Sequence, residues 1–241
     1  MPSRKRAKGK ARKAKKNILF QHGPHECTHG CSEILSENDV CYRFLVQVVQ
    51  SFNDVCLHYD ETETDFTIIS VFSDTINPLQ KSNQFNEVFN DEAIQKKLLP
   101  HLLGAGTDYL RKDEDKNYYL MLASVVAITA VFCQHNFNEK DVLASKDREV
   151  YRDLAQGCLG TKYDTVKFFT KRIPCNCLKG MYSSAKSEPK LMMCNSCGVD
   201  KERTHLYLCG GCRWTHYCSV ECQKAHYSVH CSLCKKFPRR P

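Results

Sequence analysis

Apolar positions recur at helical intervals along most of the chain before residue 178, and this periodicity predicts a mainly helical domain. After Ser36, where Ser36-x-x-Asp39 resembles a capping box, Cys41, Phe44, Leu45, Val48, Val49, Phe52, Val55 and Cys56 fall on one helical face. The run from Leu120 to Cys133 is apolar nearly all round but only fourteen residues long. A membrane span needs about 20 residues, so this run reads as a buried central helix and predicts no membrane partner. Amphipathic stretches lie near 84–103, interrupted by Pro100, near 139–157 and near 162–172. Residues 62–73, with Thr67, Ile68, Ile69 and Val71, predict a short strand or another buried segment. No internal repeat is present, which argues against an ankyrin or tetratricopeptide array.

The helical period fades after residue 178. Gly180, a Ser-Ser pair, Ser187 and Pro189 give residues 179–193 the composition of a linker. The expected organisation is a basic tail over 1–16, a mainly helical domain over 17–178, a linker over 179–193, a cysteine-rich module over 194–234 and a short basic tail over 235–241.

The module carries the chemistry. Eight of the sixteen cysteines fall between Cys194 and Cys234, and all but Cys231 stand, with His230, at metal-ligand intervals: Cys194-x2-Cys197, Cys209-x2-Cys212, Cys218-x3-Cys222 and His230-x3-Cys234. Seven thiols and one imidazole are enough for two tetrahedral zinc ions. A disulfide framework fits less well, because no apolar signal-peptide core is present and the first sixteen residues are charged. A reducing, intracellular compartment is therefore expected. Each Cys-x2-Cys brings two sulfurs onto one ion, and the two four-residue spacings read as pairs sharing a helical face. Four early ligands on one ion and four late ones on the other satisfy the count equally well. A single helix over 218–234 would spread the late ligands over roughly 24 Å at ~1.5 Å per residue, too far for one ion unless the helix folds back sharply. His226, four residues from both Cys222 and His230, is a rival ligand, whereas His205 and His216 read as ordinary loop residues.

With the run Tyr217-Cys218-Ser219-Val220-Glu221-Cys222-Gln223-Lys224-Ala225-His226 closing on His230-x3-Cys234, the module resembles the MYND-type zinc finger at every ligand position. The resemblance implies a small cross-brace fold with two interleaved zincs. Cys194, Cys197, Cys218 and Cys222 would hold one ion, and Cys209, Cys212, His230 and Cys234 the other. It also implies docking of short proline-containing peptides from a protein partner. Gln223 and Tyr227 would line the groove, with Trp214 and Tyr217 as supports, although packing in a small core is the stronger expectation for Trp214. Tyr227 stands where members often carry Trp, and Cys231 where many carry Lys.

Charge separates two classes of partner. The net charge of +8 divides into +9 over residues 1–16, −6 over 17–193, +1 over 194–234 and +4 over the last seven residues. Seven thiolates against two divalent ions take the finger from +1 to about −2, so it lacks the clustered cations that phosphates need. The finger is expected to bind protein. The basic tail, too polar to fold by itself, reads either as a solvated tail that serves solubility or as a nuclear address or electrostatic arm for nucleic acid.

Two smaller groups, His25-Glu-Cys27-Thr-His29-Gly-Cys31 and Pro174-Cys175-Asn-Cys177, flank the helical domain. They admit a third zinc near Cys27, Cys31, Cys175 and Cys177, with His29 as an alternative donor, or thiols without metal. No catalytic residue is expected. Methyltransferases that insert a MYND finger into a SET domain place catalytic sequence largely after the finger, where only Lys235 to Pro241 stand here. The chain also lacks an Asn-His-x-Cys motif, a phosphate-binding Gly-x-x-x-x-Gly-Lys loop, a Gly-x-Ser-x-Gly elbow and a His-Glu-x-x-His pair. Eight ligands filling two ions leave no open coordination position in the finger.

Overall fold

The computed structural model describes residues 29, 35–61, 68–112, 116–135 and 161–236. The tail over 1–16, the amphipathic stretch at 139–157, Cys27 and Cys31 lie outside them. The helical part comprises α1 (Val40–Glu61), α2 (Ile68–Lys81), a 3-10 turn (Asn83–Phe85), α3 (Asn86–Asn90), α4 (Glu92–Leu110), α5 (Lys116–Gln134), α6 (Lys162–Arg172) and α7 (Asn176–Ser187).

Capping side chains set several boundaries differently from the hydrophobic pattern. α1 starts at Val40, because Asp39 rather than Ser36 does the capping. Its Oδ1 accepts from the Cys41 N–H at 2.9 Å, and its Oδ2 pairs with Lys97 of α4 at 2.6 Å. The break expected at Pro100 falls instead at Asp91, whose carboxylate accepts from the N–H groups of Ala93 and Ile94, so Pro100 lies inside α4. Residues 68–73 are helical rather than a strand. The burial of Val71, Phe72, Thr75, Ile76 and Leu79 has the helical period, which outweighs local β-propensity. α6 spans the amphipathic stretch at 162–172, with Thr161 accepting from the Asp164 N–H.

α5 is the central helix, packed on α4, α2 and α6. Residues 117–134 have a mean hydropathy of 1.5 and are long and apolar enough to cross a membrane by length and composition, yet 67% of this window is buried inside the fold. Its hydroxyls are satisfied in place, Ser124 by Leu120 O and Thr165, and Thr129 by Val125 O. α4 meets α6 where Gly106 faces Phe169. A Cβ at Gly106 would run into the Phe169 ring, so this close helix approach depends on the missing side chain.

Residues 179–193 are not a structureless linker. α7 continues to Ser187, and Leu191–Met193 form strand β1. Leu178 and Ala185 are buried, Met181 packs on the helical core, and Tyr182 stacks on Tyr163 with ring centroids 5.4 Å apart. This packing outweighs the helix-weakening effect of Gly180.

The remaining chain is small and irregular. β1 pairs antiparallel with β2 (Asp200–Glu202) in the register Met192 to Lys201, and β3 (Tyr207–Leu208) pairs with β4 (His216–Tyr217) in the register Tyr207 to Tyr217. Helix α8 (Val220–Lys236) closes it. Trp214 is half-buried and packs on both the helical core and the buried cysteines of this module, while Arg203 reaches Asp164 of α6 at 3.3 Å. These contacts seat the module on the helical domain.

Candidate metal centre

Two knuckles, one helix and Cys218 just before it gather the eight expected ligands. In each Cys-x2-Cys, the N–H after the second cysteine donates back to the carbonyl of the first at 2.9 Å: Gly198 to Cys194 and Arg213 to Cys209. Both of these residues adopt left-handed backbone, Gly198 at φ 71° and Arg213 at φ 58°. Arg213 is the one non-glycine residue with positive φ among the described residues. The closed knuckle offsets a conformational cost of about 1–2 kcal/mol there.

α8 serves both clusters from one element. Cys218 lies just before the helix rather than on it, so Cys218 and Cys222 are not a helical pair. Ser219 intervenes, accepting from the Cys222 N–H at 3.2 Å near the helix start. His230 and Cys234 lie two to three turns further along and meet the second knuckle. The structure thus brings Cys194, Cys197, Cys218 and Cys222 together, and separately Cys209, Cys212, His230 and Cys234, with the ligand atoms of each set within 4.8 Å of one another. The sequential scheme, four early ligands against four late ones, is not the arrangement adopted.

The donor geometry fits zinc. An ion 2.3 Å from each sulfur holds tetrahedral neighbours about 3.8 Å apart. Cys197 and Cys218 Sγ are 3.5 Å apart, Cys218 and Cys222 3.4 Å, and Cys209 and Cys234 3.7 Å, while Cys212 Sγ lies 3.4 Å from His230 Nε2. A Cβ at Gly211 would lie 2.6 Å from Cys234 Sγ, so the second knuckle can wrap its site only with glycine there.

Electrostatics point the same way. Burial pushes the Cys194 thiol up, but backbone N–H groups of Cys197, Cys218 and Ser196 outweigh it and bring it to about 6. At Cys212 burial is likewise outweighed, by His230 and the backbone of Trp214 and Thr215, again to about 6. Cys218, hydrogen-bonded to the Cys222 and Cys197 sulfurs, is pushed to about 12, and burial with the neighbouring Cys212 and Cys209 raises Cys234. Each cluster holds one readily formed thiolate, Cys194 or Cys212, and one thiol that resists ionising, Cys218 or Cys234. A divalent cation relieves that repulsion.

Several supporting residues carried no sequence signal. Thr215, fully buried, places its hydroxyl 3.3 Å from His230 Nδ1 and so orients the ring whose Nε2 faces Cys212. His226 is in neither cluster: its Nδ1 bonds the hydroxyl of buried Tyr217 at 3.1 Å. His216 is not a loop residue. It lies buried in β4 with Nε2 unpartnered, and burial, reinforced by Arg203, lowers its pKa to about 4. Gln223 and Tyr227 stand one turn apart on α8, Gln223 half-buried and Tyr227 exposed. In the helical domain, His29 lies against Cys175 and Cys177, whereas Cys27 and Cys31, named with them as donors, are outside the described residues.

Comparison with known proteins agrees with this geometry over the module alone. No curated protein and no solved structure matches the chain. MYND fingers bind zinc and serve protein–protein interaction, and the two clusters fit two zinc ions. The family model described as the MYND finger matches residues 194–234, so the resemblance to a MYND-type zinc finger is confined to this segment of the chain.

Proposed function

We propose that this protein is an intracellular, non-enzymatic adaptor whose zinc-held finger docks short proline-containing peptides of a partner protein, with the helical domain as its platform. The observation that carries this reading is the surface of the finger. Tyr207 and Tyr227 are each 59% exposed, Val220 49% and Val199 48%, on a module whose charge with zinc is about −2. Exposed aromatic and aliphatic side chains on a rigid, weakly charged scaffold suit protein recognition and oppose phosphate binding. Tyr227, with Gln223 one turn before it, supplies the aromatic wall for a proline ring.

The test is selection of displayed peptides by the zinc-loaded full chain. Selected sequences should centre on proline, and Tyr227→Ala should weaken them at least tenfold, the scale of an aromatic hot spot of about 2 kcal/mol. Selection without proline, or indifference to Tyr227, would overturn the reading.

A second reading rests on the +9 charge of residues 1–16, a nuclear address or nucleic-acid arm. In the same assay the chain lacking these residues should keep its peptides while losing salt-dependent RNA affinity. Loss of peptide capture from the tailless chain would count against the finger as the docking surface.

A further inference from the structure

We propose that His29, Cys175 and Cys177 form a third zinc site, built into the helical domain and independent of the finger. His29 Nε2 lies 3.2 Å from Cys175 Sγ and 2.8 Å from Cys177 Sγ, and the two sulfurs are 2.9 Å apart. Three soft donors therefore converge from chain positions 146 and 148 residues apart. The His29 side chain is 1% exposed and Cys175 is 5% exposed, so water does not explain the convergence.

The surroundings have the form of a ligand shell. The other ring nitrogen of His29, Nδ1, faces Asp108 Oδ1 at 3.5 Å, as expected when a histidine binds metal through Nε2 and gives its remaining N–H to a carboxylate. Arg111 Nη1 also lies 3.5 Å from Nδ1; a guanidinium only donates, so with the Nδ1 proton directed to Asp108 it contributes charge there and no hydrogen bond. Cys175 is the N-cap of α7 and accepts from the Cys177 N–H at 3.3 Å, so both sulfurs sit at the positive end of a helix, where thiolate is favoured.

Competing accounts fit less well. A disulfide holds its sulfurs at about 2.03–2.05 Å, well short of the separation found. A thiol chain, with one S–H donating to Nε2 and the other to that sulfur, would satisfy the three groups but leaves their convergence from distant chain positions with no bond to fix it. Two thiolates with an imidazole instead match zinc, and give a neutral dithiolate–zinc unit. Tetrahedral zinc holds such donors about 3.5–3.8 Å apart, so loading spreads them by less than about 1 Å. Cys27 and Cys31, two residues to either side of His29 in the sequence, lie outside the described residues. The site's consequence is mechanical: it fixes residue 29 to the end of α4 and the start of α7, a closure costly in chain entropy without a bond.

Native mass spectrometry of the full chain tests this. The expected count is three zinc ions per chain, matching the three donor groups, and His29→Ala or Cys175→Ser with Cys177→Ser should lower it to two. A chain whose finger is disabled by Cys194→Ser and Cys212→Ser should retain the third ion, which keeps the test decisive should the first variants fold poorly. Two zincs in the unaltered chain, or no zinc in the finger-disabled one, would overturn the proposal.

Discussion

Replacing Cys212 by serine should unfold the finger while leaving the helical domain intact. Cys212 is fully buried, its sulfur 3.4 Å from His230 Nε2 and accepting from the Trp214 N–H at 3.4 Å. Serine offers a shorter, harder and un-ionised donor, so zinc affinity at this site should fall by more than ~100-fold, since even residues behind the ligands are worth about 10–100-fold. The finger cannot absorb that loss. Its buried core is Cys194, Cys209, Cys212 and Tyr217, too little apolar surface to hold the segment, whereas zinc supplies roughly 10–16 kcal/mol in isolated fingers. Hydrogen exchange followed by mass spectrometry should show α8 amides losing protection while α4 and α5 amides keep theirs. Persistent protection of α8 would mean that packing rather than metal holds the finger.

Chelation of the full chain should produce the same division on a larger scale. Removing both finger ions releases the knuckles, β3, β4 and α8 together, because each ion is bound by a knuckle and by residues at or along α8. The helical domain has a different source of stability. Phe44, Phe52, Phe72, Leu98, Leu102, Phe132, Phe168 and Phe169 are each at most 1% exposed, and burying one such side chain contributes about 1.5–3 kcal/mol. The far-UV circular dichroism should therefore fall only by the share of α8, 17 residues beside helices of 22, 19 and 19, and a cooperative thermal transition should remain. Chelation also strips the His29, Cys175 and Cys177 site, so collapse of the whole helical signal would contradict this separation and make that third site the tie on which the helical domain depends.

Much of this division can be read from residue order. The stripe from Cys41 to Cys56, the apolar run at 120–133 and the stretch at 162–172 are all helices, because burial repeats at the helical period over several turns. Ligand spacing similarly anticipates two clusters, since a helix carrying Cys222 and Cys234 is too long to wrap one ion. Where the reading departs from the structure, short-range capping or long-range packing decides. Asp91 rather than Pro100 breaks the helix, because a carboxylate can satisfy two N–H groups at once. Residues 179–187 read as linker because their burial partners, such as Tyr163 for Tyr182, lie elsewhere in the chain. Thr215 and Asp108 carry no motif at all. They matter only through the imidazoles that folding brings against them.

The central claim is that two interleaved zinc sites build the finger, and cadmium-113 substitution tests it most directly. In a proton–cadmium correlation spectrum, each metal resonance connects to the Hβ protons of its own cysteines. One resonance should connect to Cys194, Cys197, Cys218 and Cys222, and the other to Cys209, Cys212 and Cys234. A resonance joining Cys194 and Cys197 to Cys209 and Cys212 would show sequential sites, and would contradict the account.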